Sequence, residues 1–225
     1  MQNTSFLDVG DHEIVLIDKP AGMTSHDVVN IARRAFDTRK VGHAGTLDPF
    51  ATGLLILGVN KGTKKLTDLV GLDKRYEAEM LLGISSTTDD VEGEKTDAPI
   101  DPIPTQAEID AVLDRFRGGY AQTAPFFSAK KIKGKKLYEL ARKGQTEGIE
   151  RPVKDVKIYE LVIEEYVYPK LRFSVHCSSG TYIRAIARDI GEALGGGGYL
   201  TALRRTEIGA YRVEDAMTVE SLKEL

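Results

Sequence analysis

Residues Val41–Gly53 read VGHAGTLDPFATG, and Leu54–Val59 continue as LLILGV. The glycines and the proline make the first stretch a loop. The unbroken apolar run after it is a buried strand. Within the loop, Pro49 disfavours the α conformation at Asp48, and glycine lets backbone come close to a ligand. Asp48 is therefore held by the chain at one orientation, with His43 five residues upstream. A carboxylate placed this way can act as nucleophile or general base. An aspartate that merely caps the following turn is the other reading of the same residues.

Upstream, Glu13–Asp18 (EIVLID) is a short strand that leaves through Lys19-Pro20 into the turn KPAGM. Thr24 or Ser25 caps the next helix, with Asp27 in its first turn and Val28, Ile31, Ala32, Ala35 and Phe36 as its apolar stripe. Downstream, residues 63–70 form a short helix. Lys74–Leu82 alternates, with Tyr76, Ala78, Met80 and Leu82 on one face, as in a half-buried strand. Tyr76 on that pattern is an ordinary core residue. Thr105 to Glu108 is a capping box opening a helix. Residues 156–163 and 171–177 read as neighbouring antiparallel strands, and residues 181–194 as a helix closed by Gly195. Strands and helices mix without a regular βαβ repeat, which predicts an α+β fold with an antiparallel or mixed sheet instead of a doubly wound one.

The chain has 225 residues, one cysteine and a net charge of −3. Cys177 alone excludes an internal disulfide framework and fits a cytoplasmic location. His12, His26, His43 and His176 lack metal-ligand spacing, so no metal site is expected. No apolar run reaches membrane-span length, and the first residues lack the basic start and apolar stretch of a signal peptide. A pI near 5.9 argues mildly against a nucleic-acid partner, but the charge is segregated. Ser86–Arg115 carries nine acids and two bases, leaving +4 on the rest. Lys130–Lys143 holds seven bases against Glu139. Such a run suits a mobile arm gripping phosphates, although any one cluster also fits a solvated loop.

KPAGMTSHDVV followed by VGHAGTLDPFATGLLILGV resembles the TruB family of tRNA pseudouridine synthases. KRYEAEMLLG, the segment from Phe116 to Gly144, HCSSGTYIRAIARDIGEALG and LRRTEIG resemble the family's later motifs in order. The resemblance implies the α+β pseudouridine synthase fold over residues 1–225, a central, mixed but mostly antiparallel sheet flanked by helices, with the basic RNA-binding arm inserted at about 124–152. It implies an isomerase acting on the T-arm stem-loop of tRNA, converting the uridine at position 55 to pseudouridine by base flipping. Asp48 matches the catalytic aspartate, which attacks the ribosyl part of the nucleotide, giving a covalent sugar adduct or a glycal. Tyr76 matches the tyrosine that packs on the flipped base, and Arg184 the arginine that pairs with the aspartate. His43 matches the histidine that helps hold the base out of its stack, and Leu203 an apolar residue of the base pocket. Lys19 and Pro20 match a motif that supports the catalytic loop, Lys131 belongs to the RNA-binding arm, and Asp90 matches an acidic residue near the RNA. The reaction transfers no electrons or groups, so no cofactor is expected.

Ser179 stands where the family usually has lysine, Phe127 where it has tyrosine, and Tyr199 where histidine is common. The chain stops about where members continue into a small RNA-binding PUA domain, so that domain is expected to be absent. The short chain and long basic insertion favour a stand-alone bacterial monomer, with no obligatory protein partner or guide RNA, over the branch directed by small RNAs. A tRNA chaperone that binds the elbow is the third reading, as an accompanying activity.

Overall fold

The strands Ile14–Lys19 and Thr52–Val59 explain why their sequences are apolar at nearly every position. They pair antiparallel, from Ile14 opposite Gly58 to Lys19 opposite Gly53, and both of their faces are covered. Val15, Ile17, Leu55, Leu57 and Val59 turn to one side, against Val28, Val29, Ile31 and Ala32 of the helix Ser25–Ala35. Ile14, Leu16, Leu54 and Ile56 turn to the other, against Leu69, Ile208 and Val213. The computed structural model describes residues 6–7, 14–128, 130–132 and 134–225.

The chain divides into two compact units, residues 1–77 with 202–225, and residues 78–201. In the first, the strand order is Phe6–Leu7, Ile14–Lys19, Thr52–Val59, then Gly198–Ile208 from residue 202 onward. Met217–Thr218 adds parallel to Ile14–Lys19, and Val41–His43 adds antiparallel to Thr52–Val59. Thr24 caps the helix Ser25–Ala35 through a capping box. Its Oγ1 accepts from Asp27 N at 3.1 Å, while the Asp27 carboxylate accepts from Thr24 N at 2.9 Å. A cap of this kind stabilises a helix by about 1 kcal/mol.

In the second unit the order is Gly198–Ile208 up to residue 201, Lys74–Leu82 from residue 78 onward, Lys170–Cys177, Ile158–Val167. The last two strands pair antiparallel, as expected of these neighbours from the sequence. Tyr120–Thr123 pairs antiparallel with Val153–Val156, the strands on either side of the basic segment. The helices are Gln106–Leu113, Leu137–Ala141 and Ile183–Ala193. The class is α+β, with a large, mostly antiparallel sheet and helices.

Three local expectations change. Val41–His43 is strand rather than loop, because the edge of Thr52–Val59 offers it a ladder. Residues 63–70 divide into a 3₁₀ turn, Asn60–Lys65, and the short helix Leu66–Gly71. Gly198–Ile208, an eleven-residue strand, has no counterpart in the sequence reading, since its arginines and threonines (GYLTALRRTEI) break both the apolar run and the alternation.

Candidate active site

The backbone around Asp48 is tied on both sides. Upstream, Leu47 N donates to Ser25 Oγ at 2.9 Å, and that hydroxyl donates to the Leu47 carbonyl at 3.2 Å. Downstream, the Pro49 carbonyl accepts from Gly22 N at 2.8 Å and from Lys19 Nζ at 3.3 Å. Lys19 is fully buried, and its ammonium also donates to the carbonyls of Met23 at 2.7 Å and Pro20 at 2.9 Å. It therefore fastens the KPAGM turn to the loop. The Asp48 carbonyl accepts from Ala51 N at 3.1 Å, which closes the turn through the backbone. The side chain is half-buried.

A second buried cation holds the loop's entry. Arg205, 1% exposed, donates from Nε to the Leu54 carbonyl at 2.8 Å and from its terminal nitrogen to the Gly45 carbonyl at 3.1 Å. Gly45 has φ +90°, which favours glycine. The two cations meet the loop from strands that flank one residue: Gly53 lies opposite Lys19 in one ladder and opposite Arg205 in the other. The register of three strands thus sets the anchors of the Asp48 loop.

His43 ends the strand Val41–His43, and its Nδ1 is buried without a hydrogen-bond partner among the described residues. Burial first, and then the charges of Arg205 and His26, lower its pKa from 6.5. The imidazole is therefore neutral at pH 7. Tyr76 is buried on the inward face of Lys74–Leu82. Leu203 is buried, and its carbonyl accepts from Thr52 Oγ1 at 3.5 Å.

In the second unit, Arg184 occupies the second position of the helix Ile183–Ala193 and is 4% exposed. It donates to the carbonyls of Thr88 at 2.7 Å and Phe127 at 2.8 Å, and lies 3.4 Å from the Asp90 carboxylate. Asp90 is itself buried, and its carboxylate accepts from Thr88 Oγ1 and from Glu92 N. Asp90, which the resemblance expects near the RNA, is committed to Arg184 and two donors, and so holds the guanidinium. Arg188, one turn on, pairs with Asp89 at 3.1 Å and Asp189 at 2.7 Å. Burial raises Asp89 to about 6 against the pull of Arg188.

Lys131 lies on the backbone ladder of Lys131–Ile132 with Lys135–Lys136. The side chains of Lys131, Lys135 and Lys136, and the whole of Lys133, fall outside the described residues.

The first unit therefore brings Lys19 to the backbone of the Asp48 loop, and the second brings Asp90 to Arg184. The ties that Ser25 and Arg205 make to the loop are not legible in the sequence, which offers Ser25 only as a helix cap. A buried arginine or glutamine looks like a surface residue in sequence, because its partners are backbone groups far along the chain.

A family model described as TruB family pseudouridylate synthase (N terminal domain) matches residues 33–183, and one described as tRNA pseudouridylate synthase B C-terminal domain matches residues 184–225. A Corynebacterium diphtheriae protein named tRNA pseudouridine synthase B is 47% identical, covering 96% of this chain and 74% of its own. A Corynebacterium glutamicum protein of the same name is 50% identical, covering 94% and 72%. Among solved structures, a Cbf5-Nop10-Gar1 complex aligns at TM-score 0.73 with 28% identity over 99% of this chain. An H/ACA RNP bound to a substrate RNA containing 2′-deoxyuridine aligns at 0.70 with 27% identity over 94%. The chain spans about half the length of the matched chains in those two structures, 55% and 52%.

Proposed function

The chain belongs to the TruB family of pseudouridylate synthases and isomerises uridine in tRNA to pseudouridine, and from that premise we propose that its target is the T-arm uridine at position 55, that Asp48 is the nucleophile, and that it works as a stand-alone enzyme. In the reaction the bond between ribose C1′ and uracil N1 breaks, the base turns, and C1′ bonds to C5. The C5 hydrogen leaves as a proton and N1 gains one, so atoms and electrons balance within one nucleotide.

The base must first leave its stack, at a cost of a few kcal/mol. The flat rings of His43 and Tyr76 offset this by packing on the extruded nucleotide, and a neutral His43 does so without carrying its own hydration shell. Leu203 completes an apolar wall. Asp48 attacks the ribosyl part, which requires its ionised form. Arg184 matches the family arginine that pairs with this aspartate, and a positive charge in that role favours the ionised form. Tyr76 is placed for proton transfer at the base. The arm lysines, Lys131 among them, bind phosphates and so fix position without reading sequence.

The observation that carries this reading is the doubly tied backbone around Asp48. A nucleophile held in one geometry has already lost the freedom that attack would otherwise remove, and the buried ties of Lys19, Ser25 and Arg205 have no evident purpose if Asp48 only caps a turn. The test is to incubate the purified chain alone with an unmodified tRNA transcript and map pseudouridine. Product at position 55 without guide or partner is expected; none, or product elsewhere only, overturns the assignment. Asp48→Asn is expected to abolish product while tRNA binding changes by only a few fold, and turnover by that variant would remove Asp48 from its role.

A further inference from the structure

Arg184 sits one residue inside the helix Ile183–Ala193, so whatever fixes the start of that helix fixes the guanidinium. The start has no local cap, because its N-cap residue is Tyr182 and makes no side-chain capping bond. The acceptor comes from 60 residues away. Gln122 Oε1 accepts from Tyr182 N at 2.8 Å, and Gln122 Nε2 donates to the Tyr182 carbonyl at 3.1 Å and to the Tyr120 hydroxyl at 2.8 Å. Gln122 is 2% exposed. One carboxamide thus engages both polar groups of a single backbone residue, a two-point hold that fixes rotation as well as position.

Gln122 lies on Tyr120–Thr123, which pairs with Val153–Val156 at the root of the basic arm. Three further bonds join the same stretch of chain to the helix. Tyr120 donates to Asp189 at 2.8 Å, Arg188 donates to the Thr123 carbonyl at 3.1 Å, and Arg184 donates to the Phe127 carbonyl at 2.8 Å. The root of the arm and the arginine are therefore held in one hydrogen-bonded body.

We propose that Gln122 is a positioning residue for the isomerisation, aligning Arg184 through Tyr182 and registering the arm's root to that alignment. The inference rests on the role given to Arg184 above. A side chain that acts only by alignment affects turnover and leaves substrate binding in place. Displacement by about 1 Å far from the chemistry costs up to about 100-fold in rate.

The experiment is a double-mutant cycle on the full chain with tRNA transcript as substrate. Gln122→Met, which keeps the volume and removes all three bonds, is expected to lower kcat about 10- to 100-fold while KM and tRNA affinity stay within about twofold. Gln122→Glu keeps the acceptor for Tyr182 N and is expected to recover part of kcat. In an Arg184→Lys background, Gln122→Met is expected to add little further loss, because both changes break one interaction. Losses that multiply in the double variant, or a raised KM with unchanged kcat, overturn the inference. If Gln122→Met does not fold by thermal unfolding, Gln122→Glu in both backgrounds carries the same cycle. Wild-type turnover by Arg184→Lys alone would remove the premise. A crippled Arg184→Lys beside a fully active Gln122→Met would overturn only the inference.

Discussion

At the scale of single residues, the polar groups that matter are those whose surroundings decide their chemistry. His43 is legible in the sequence as a loop histidine, but its charge state is not. Burial and the neighbouring cations lower its pKa from 6.5. The folded protein therefore binds fewer protons here than the unfolded chain. Its contribution to stability is full above 6.5 and is lost as pH falls through the lowered folded value. His43→Gln removes this titration. Thermal unfolding followed between pH 5 and 7 is expected to show a flatter acid limb in the variant than in the wild type. Parallel curves would mean that folding does not lower the His43 pKa. Asp48 is readable because glycine and proline punctuate its loop. Arg184 is readable only through resemblance, since nothing in an arginine off a helix's apolar stripe says that it is 4% exposed.

At the scale of elements, local chemistry predicts the pieces that carry their own signals. The capping boxes at Thr24 and Thr105 start the helices Ser25–Ala35 and Gln106–Leu113, and the alternation of Lys74–Leu82 survives residue by residue in its burial. The strand Gly198–Ile208 is not readable, because Arg205 turns inward to meet carbonyls of residues 45 and 54. Gly53 is where this element-level design is tightest. It has φ +101°, and a Cβ there would lie 2.2 Å from the Arg205 carbonyl oxygen and 2.8 Å from its nitrogen. Backbone cannot yield as a side-chain tip can. Gly53→Ala is expected to cost about 2–4 kcal/mol in stability from backbone strain and overlap. Because Lys19 and Arg205 pair on either side, activity should fall further than unfolding alone explains. Denaturant unfolding combined with turnover on the folded fraction measures both effects, and a variant of wild-type stability would contradict the account.

At the scale of the whole chain, the near-neutral total charge conceals where charge is used. Many acids between Ser86 and Arg115 are committed within the protein. Asp89 pairs with Arg188, Asp90 with Arg184, and Asp110 and Asp114 with Arg117, while Glu108 closes a capping box. The acidic segment is thus partly internal wiring, and a simple sum overstates its repulsion of RNA. The bases of Lys130–Lys143 have only Glu139 among them. Replacing Lys131, Lys133 and Lys135 with glutamine is expected to weaken tRNA binding and flatten its dependence on salt, by about 0.7–0.9 in log–log slope for each phosphate no longer neutralised. An unchanged slope would show that the arm does not meet phosphates.

The amino-acid sequence by itself determined the family, the α+β class, the glycine- and proline-bounded loop that carries Asp48, and the capping box at Thr105. Each of these rests on neighbours in the chain or on a contiguous motif. Only the tertiary structure decided which polar side chains go inside and what they hold. Lys19, Arg205 and Gln122 reach backbone groups 30, 160 and 60 residues away. The physical reason is that a backbone carbonyl or amide offers the same partner at every residue. No pattern of side chains announces which distant peptide will lie beside a given lysine, arginine or glutamine until the strands have paired in register.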